Sequence, residues 1–263
     1  MSGVLGKTVA APEVYAPDVL EPIPRQHVQR EITMVGWDVW HCYELSWLSK
    51  GVVENHIGVL IIPADSPSTV ESKSLKLYLN SLNLHEFADT DEAIITICDD
   101  VGRRIDAPVS LQLIPVEGLA SITEELNGVN LHPCSKSEGQ GIIGIEALIG
   151  SPRKGNIVSE QLISSSLRSL CPVTAQPDWA TLSICYTGPQ MDREAVSRYV
   201  SGYRSHQGFH EQVVEQIFAD LAEAYSPEHL EVVGFYQRRG GLDITPWRST
   251  SLATPNSRRL GRQ

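Results

Sequence analysis

The side chains best placed to do covalent chemistry fall in one short stretch, Cys171-Pro172-Val173-Thr174-Ala175-Gln176-Pro177-Asp178-Trp179. Cys171 is held extended by the proline that follows it. Pro177-Asp178 is turn chemistry, so the chain can fold back and bring the Asp178 carboxyl near the sulfur. A thiol beside a carboxyl group offers a nucleophile and a proton donor. Taken alone, a cysteine in a turn-rich loop is more often simply buried, and Cys42, Cys98, Cys134 and Cys185 keep that reading.

Three further clusters carry chemistry. Phe209-His210-Glu211 opens a helix. A glutamate there can accept two parallel hydrogen bonds from the N–H/NH2 edge of a guanine-like ring, with the phenylalanine stacked on it. The plainer alternative is a first-turn acid complementing the helix dipole. Arg238-Arg239-Gly240-Gly241 suits an anion approaching backbone, or a solvated turn. Glu71-Ser72-Lys73-Ser74-Leu75-Lys76 starts a helix with two cations and a hydroxyl, a setting for phosphate or an ordinary solvated face. Gly139-Gln140-Gly141-Ile142-Ile143-Gly144 matches G-x-G-x-x-G, but polar HPCSKSE precedes it where a dinucleotide site needs a buried strand.

The elements that must position these groups follow from periodicity. GWDVWHCYELSWL (36–48), GVVENHIGVLII (51–62), PVSLQLIPV (108–116), WATLSICY (179–186) and HLEVVGFYQ (229–237) read as strands. SKSLKLYLNSL (72–82), TDEAIITICDDVGRRI (90–105), DREAVSRYVSGYR (192–204) and GFHEQVVEQIFADLAEAY (208–225) read as helices with one apolar stripe each. Both halves run strand, helix, helix, strand. Glu71…Tyr78 answers Asp192…Tyr199, and Leu84-His85-Glu86 answers Phe209-His210-Glu211. The expected class is α+β, a degenerate tandem repeat of two modules at 34–116 and 160–250. Residues 1–33 read as an arm, 117–159 as a connecting segment and 251–263 as a disordered tail.

Composition limits the partners. The chain has 263 residues, a net charge of −11, 41% hydrophobic and 20% charged residues, which is ordinary globular composition. The acidic balance argues against nucleic-acid or membrane-surface binding, since both are polyanionic. Five cysteines, an odd number without a CxxC, argue against a disulfide framework or a zinc ribbon. Nothing reads as a signal peptide or a membrane span, so the expected location is the cytoplasm.

These segments together resemble the NADPH-dependent 7-cyano-7-deazaguanine reductases, the nitrile reductases of queuosine biosynthesis, in their long two-module form. CPVTAQPDWA (171–180) is similar to the family's catalytic segment and ESKSLKLYLNSLN (71–83) to its NADPH-associated signature. GPQMDREAVSRY, FHEQ and RRGGLDITPWR resemble the rest of the C-terminal module; GWDVWHCYELSWL and PADSPSTVESKS resemble the N-terminal one. The resemblance covers 34–116 and 160–250 and leaves 117–159 unmatched. It implies two tandem tunnelling-fold modules, antiparallel sheets each carrying a helix pair, in a homodimer. It implies Cys171 as nucleophile forming a thioimide, Asp178 as general acid and His210 assisting proton transfer. Val70, Glu71, Ser72, Phe209, His210 and Glu211 would hold 7-cyano-7-deazaguanine. Ser72, Lys73, Arg239 and Gly240 would hold NADPH, with no metal. A tunnelling-fold purine- or pterin-binding protein, or a cyclohydrolase-like enzyme without reductase activity, is the alternative.

Overall fold

Period-two alternation and helical stripes set the elements of the computed structural model, which describes residues 10–28, 32–132, 144–148, 154–255 and 257–263. Cys134 and the glycine-rich 139–143 lie outside the described residues, as does much of the connecting segment. The first half contains β1 (Pro22–Pro24), β2 (Val35–Ser49), β3 (Val52–Pro63), β4 (Ser68–Val70), α1 (Ser72–Ser81), β5 (Glu86–Phe87), α2 (Thr90–Ile105) and β6 (Ser110–Pro115). After the short β7 (Thr123–Glu124) and β8 (Val129–Asn130), the second half contains β9 (Lys154–Leu170), β10 (Pro177–Gln190), α3 (Arg193–Gly202), α4 (His210–Tyr225), β11 (His229–Tyr236) and β12 (Leu242–Ser249). A last strand, β13, is Arg259–Leu260. The α+β class with a mainly antiparallel sheet is therefore borne out.

One sheet runs through both halves in the order β6-β3-β2-β12-β11-β10-β9-β8. The halves join where β2 pairs antiparallel with β12, with Trp40 opposite Ile244 and Cys42 opposite Leu242. Two cores lie beneath two helix pairs. One packs Trp40, Trp47, Leu60, Leu75, Tyr78 and Ile97; the other packs Leu182, Ile184, Tyr199, Val214, Phe218 and Leu230.

Matching features recur in the two halves. Glu71 caps α1 by accepting from the N–H of Lys73 and Ser74, and Asp192 caps α3 from Glu194 and Ala195. Tyr78 donates to Asp100 at 2.7 Å, and Tyr199 to Asp220 at 2.6 Å, each tying one helix of a pair to the other. Asp100 lies ten residues after Thr90 in α2, and Asp220 ten after His210 in α4. The second correspondence needs correction. Phe209 and Asp89 are the equivalent N-cap residues, so Leu84-His85-Glu86 falls before α2 and not at its start. Likeness of residue type suggested that pairing, whereas cap geometry fixes the register.

Two strands had no legible alternation, β9, which straddles the end of the supposed connecting segment, and β12 after the supposed last strand. β12 is buried on both faces along its whole length, so it lacks the polar-out pattern of a half-exposed strand. The arm is a strap. Leu20 is buried in the first core, β1 pairs with β4, and Tyr15 donates to Asp100. The tail also differs from expectation. Leu260 packs on Val233, Phe235 and Trp247, β13 pairs with β7, and His41 Nε2 meets the Ser257 carbonyl at 2.9 Å. A single apolar residue anchors it, which leaves no periodicity to read. Leu260→Asp is expected to release the tail: limited trypsin digestion read by mass spectrometry will show faster cleavage after Arg258 and Arg259, with the sheet still protected.

Candidate functional site

β9 and β10 form a long hairpin, and its reversal carries Cys171. The Cys171 N–H donates to the Gln176 carbonyl at 2.9 Å and Ala175 N–H to the Cys171 carbonyl at 3.0 Å, with Ala175 at φ +54°. The turn therefore lies upstream of Pro177, which opens β10 instead of turning the chain. Asp178 follows as the next strand residue, opposite Ser169. Cys171 and Asp178 line one cleft, as the spacing predicted, although the reversal is six residues wide and not centred on Pro177.

The cleft is built from both halves. Val70, Glu71 and Ser72 come from β4 and the start of α1, and Phe209, His210 and Glu211 from the start of α4. Arg239, at the turn after β11, closes one side, and Trp40 and Ile244, a cross-strand pair at the β2–β12 junction, form its apolar floor. Ile23, Thr69 and Pro172 complete the lining and were missed from sequence. The alternation along β2 was the available signal for Trp40; Ile23 sits on the three-residue β1, too short to show a pattern. Lys73 and Gly240 do not line the cleft.

His210 and Asp178 are both buried, with Nε2 3.0 Å from Asp178 Oδ2. Arg239 pairs with the other Asp178 oxygen and its Nη2 lies 3.2 Å from the same His210 nitrogen. Proton position therefore decides the contact. When Nε2 carries a proton it donates to Asp178; when it does not, it accepts from Arg239. The imidazole stacks on Tyr236, centroids 3.8 Å apart and planes 13° from parallel. The neighbours supplied to Asp178 are thus a guanidinium and an imidazole.

The acids differ in their commitments. Both Glu71 oxygens are taken by the cap, at 2.9 Å from Lys73 N and 2.7 Å from Ser74 N. Glu211 accepts from Thr69 Oγ1 at 3.2 Å. Burial and the nearby Asp38 charge push its carboxyl above the usual range, against the pull of Arg25 and His210. Phe209 is half-buried beside it, outside the core. Burial also pushes the Cys42 thiol up to about 12 and raises Cys98 and Cys185, so these three hold their protons.

Beside the cleft, Gly240 and Gly241 turn at φ +59° and +82°. A Cβ at Gly240 would sit 3.3 Å from Lys76 Cδ, and one at Gly241 would strike the Glu44 carboxylate at 2.5 Å. The turn thus lies against Lys76, the α1 cation that sequence reasoning passed over in favour of Lys73. Among the described residues, no three His, Cys, Asp or Glu side chains converge as a metal site.

Residues 11–113 match the family model described as "Nitrile reductase, 7-cyano-7-deazaguanine-reductase N-term", and residues 177–254 match "QueF-like protein". The chain belongs to the 7-cyano-7-deazaguanine reductase family. The NADPH-dependent 7-cyano-7-deazaguanine reductase of Stenotrophomonas maltophilia is 40% identical over 95% of this chain and 94% of its own length. That of Acinetobacter baylyi is 40% identical over 99% and 98%, and that of Chromobacterium violaceum 41% over 95% and 92%. The first family match begins inside the strap, at residue 11, which is consistent with a strap that belongs to the fold.

The cap predicts a measurable cost. Glu71→Ala removes two hydrogen bonds from the start of α1 and will destabilise the fold by about 1 kcal/mol. Thermal unfolding should show it as a fall of about 2–4 °C in Tm.

Proposed function

We propose that this chain is an NADPH-dependent nitrile oxidoreductase, converting 7-cyano-7-deazaguanine to 7-aminomethyl-7-deazaguanine in queuosine biosynthesis. The observation that carries the reading is the convergence, in one cleft, of the Cys171 thiol, the Asp178–His210 pair and the uncapped Glu211 carboxyl. Membership in the family supports it along nearly the whole chain.

Recognition uses Glu211 as acceptor for the N–H/NH2 edge of the heterocycle, with Phe209 against the ring and Val70 and Ser72 as flanking contacts. Glu71, committed to the α1 cap, shapes the wall by fixing the backbone at Ser72 and presents its carboxylate rim to the same ring. The residues beside the cleft suit a phosphate-bearing cofactor: a positive-φ glycine turn flanked by the half-exposed Arg239 and Lys76, next to the start of α1 with Ser72 and Lys73. Arg239, Gly240, Ser72 and Lys73 are assigned to NADPH, with Lys76 added. Bound NADPH supplies hydride to the nitrile carbon twice per turnover, the four electrons between nitrile and amine.

The chain's own groups manage bonds and protons. A nitrile carbon is a weak electrophile, so Cys171 Sγ adds to it and the carbon becomes sp2, a thioimide. The proton leaving the Cys171 thiol passes through Asp178 to the nitrile nitrogen as the C–S bond forms, so the carboxylate ends the step as it began. After the first reduction the C–S bond breaks, the pair returns to Cys171 sulfur and an imine is left. His210, shared between Asp178 and Arg239, passes a proton to the imine nitrogen as the amine forms. Burial of Asp178 and His210 keeps competing water from these transfers.

The two halves are read as tandem tunnelling-fold modules, supported by the matched caps and Tyr–Asp ties. The sheet's two ends, β6 on one side and β9 beyond its two-residue pairing with β8 on the other, would close such modules into a ring, which favours a homodimer. The absence of any helix among the described residues long and apolar enough to cross a membrane agrees with a cytoplasmic enzyme. At a net charge of −11 the link to tRNA is metabolic, with no direct contact to nucleic acid.

Mixing protein, 7-cyano-7-deazaguanine and NADPH should consume NADPH absorbance in a two-to-one ratio to substrate; a folded, thiol-reduced protein without turnover would sink the reading. Cys171→Ala is expected to bind the nitrile and yield no covalent adduct in intact mass spectra. An adduct in that variant would put the nucleophile elsewhere. Asp178→Asn should lower kcat by about 100-fold or more, the usual scale of a lost general acid.

A further inference from the structure

Five charged side chains meet beneath the cleft, and the chemistry above uses only Glu211. Asp38 on β2 and Arg248 on β12 are wholly shut from solvent, with Arg248 Nη1 2.8 Å from Asp38 Oδ1. Gly36 makes that approach possible, since a Cβ there would lie 3.0 Å from Arg248 Cδ and collide with the Trp247 carbonyl. Arg25, from the strap, reaches the other Asp38 oxygen at 2.6 Å. Glu215, one turn beyond Glu211 on α4, lies 3.7 Å from Arg248 Nε and accepts from Val28 N at 2.9 Å. Two guanidiniums are thereby matched by Asp38 and Glu215. Glu211 is the third acid, and its side-chain hydrogen bond is to Thr69.

Arg25 does more than neutralise Asp38. Its Nε donates to Ser66 Oγ at 3.0 Å, its Nη2 to the Pro63 carbonyl at 3.3 Å, and its backbone N–H to the Pro67 carbonyl at 3.0 Å. It thus grips the turn that delivers Thr69, Val70, Glu71 and Ser72 to the cleft. Next to it, Ile23 pairs with Thr69 and itself enters the cleft. We propose that Arg25 is a positioning residue for Glu211, fixing the Thr69 hydroxyl against the carboxylate and supplying the cation that faces it. The inference rests on the reading of Glu211 as the anchor of the heterocycle.

The consequence for pH has a definite sign. Glu211 is faced by Asp38 from β2, Arg25 from the strap, Thr69 from β4, Tyr236 from β11, His210 on its own helix and the Arg248–Glu215 pair behind. Burial and Asp38 raise its carboxyl; Arg25 and His210 lower it. Removing Arg25 leaves the raising influences less opposed, so the charged form is lost at higher pH than before. Binding that needs the carboxylate then fails from the acid side sooner, and the acid limb of kcat/KM moves to higher pH.

Arg25→Met keeps length and removes charge. Near neutral pH its KM for 7-cyano-7-deazaguanine should rise about tenfold or more, kcat should stay within about threefold, and the acid limb should shift upward. Arg25→Lys should recover most of the affinity and return the limb. A merely structural strap residue would lower Tm in both variants without moving the limb. Thr69→Val leaves every charge in place but removes a hydrogen bond that favours the carboxylate, so it should raise KM and move the limb up by less than Arg25→Met does, and it tests the same contact should Arg25→Met fail to fold. Unchanged KM in Thr69→Val, or unchanged KM and limb in folded Arg25→Met, overturns the proposal. Glu211→Gln separates the two layers: if it binds 7-cyano-7-deazaguanine as tightly as wild type, the anchor reading falls too; if it weakens binding while Arg25→Met does not, only the role of Arg25 falls.

Discussion

The antiparallel join between β2 and β12 is the constraint on which the cleft depends. Each half has its own core under its own helix pair, and neither holds a complete site. The join sets Trp40 against Ile244 and so makes one floor from two halves. It also brings β4 and α1 of one half within reach of the β9–β10 reversal and α4 of the other. A slip of one residue in this register would turn Trp40 and Ile244 to the opposite face of the sheet. It would carry Asp38 and Arg248 with them, because these alternate on the helix-facing side of the same strands.

That second pair explains why such a register holds. A buried charge pair is poor evidence for net stability, since desolvation offsets much of its attraction. It is a strong discriminator between arrangements, because any alternative that separates Asp38 from its two guanidiniums strands an uncompensated charge. Asp38 is fully buried and its carboxyl is held below the usual range by Arg248 and Arg25 despite that burial. The strap takes part in this specification, since Arg25 follows directly on β1, which pairs with β4.

Much of this was legible from residue types and spacing, and the limits are physical. The four helices showed their stripes because each buries one face, and TDEAIITICDDVGRRI ends where the left-handed cap Asp106 stops it. Cys171 and Asp178 were legible as a pair because a proline-punctuated hairpin turn can do little but bring its ends together. β9 and β12 were not, since a long twisted edge strand and a strand buried on both faces each break the alternation on which strand reading relies. Strap and tail act through isolated anchors, Leu20, Arg25 and Leu260, and an isolated anchor has no period. Contacts such as Arg25 with Asp38, or Thr69 with Glu211, join residues that only the topology brings together.

The N-termini of the two second helices, α2 and α4, differ in a way that leaves only α4 bordering the cleft. α1, α2 and α3 are each capped by an acid, Glu71, Asp89 and Asp192, which accepts from backbone N–H groups of the first turn. α4 begins with Phe209, and Gln212 turns back to accept from the Phe209 N–H at 3.3 Å. The N-cap position therefore carries an aromatic ring in place of an acid. This arrangement also leaves Glu211 outside the cap, buried and short of donors. In α2 the matching positions, Asp89, Thr90 and Asp91, are polar and face solvent or the cap. Of the two second helices, α2 thus spends its N-cap acid on its own backbone, whereas α4 leaves the Glu211 carboxylate facing the cleft.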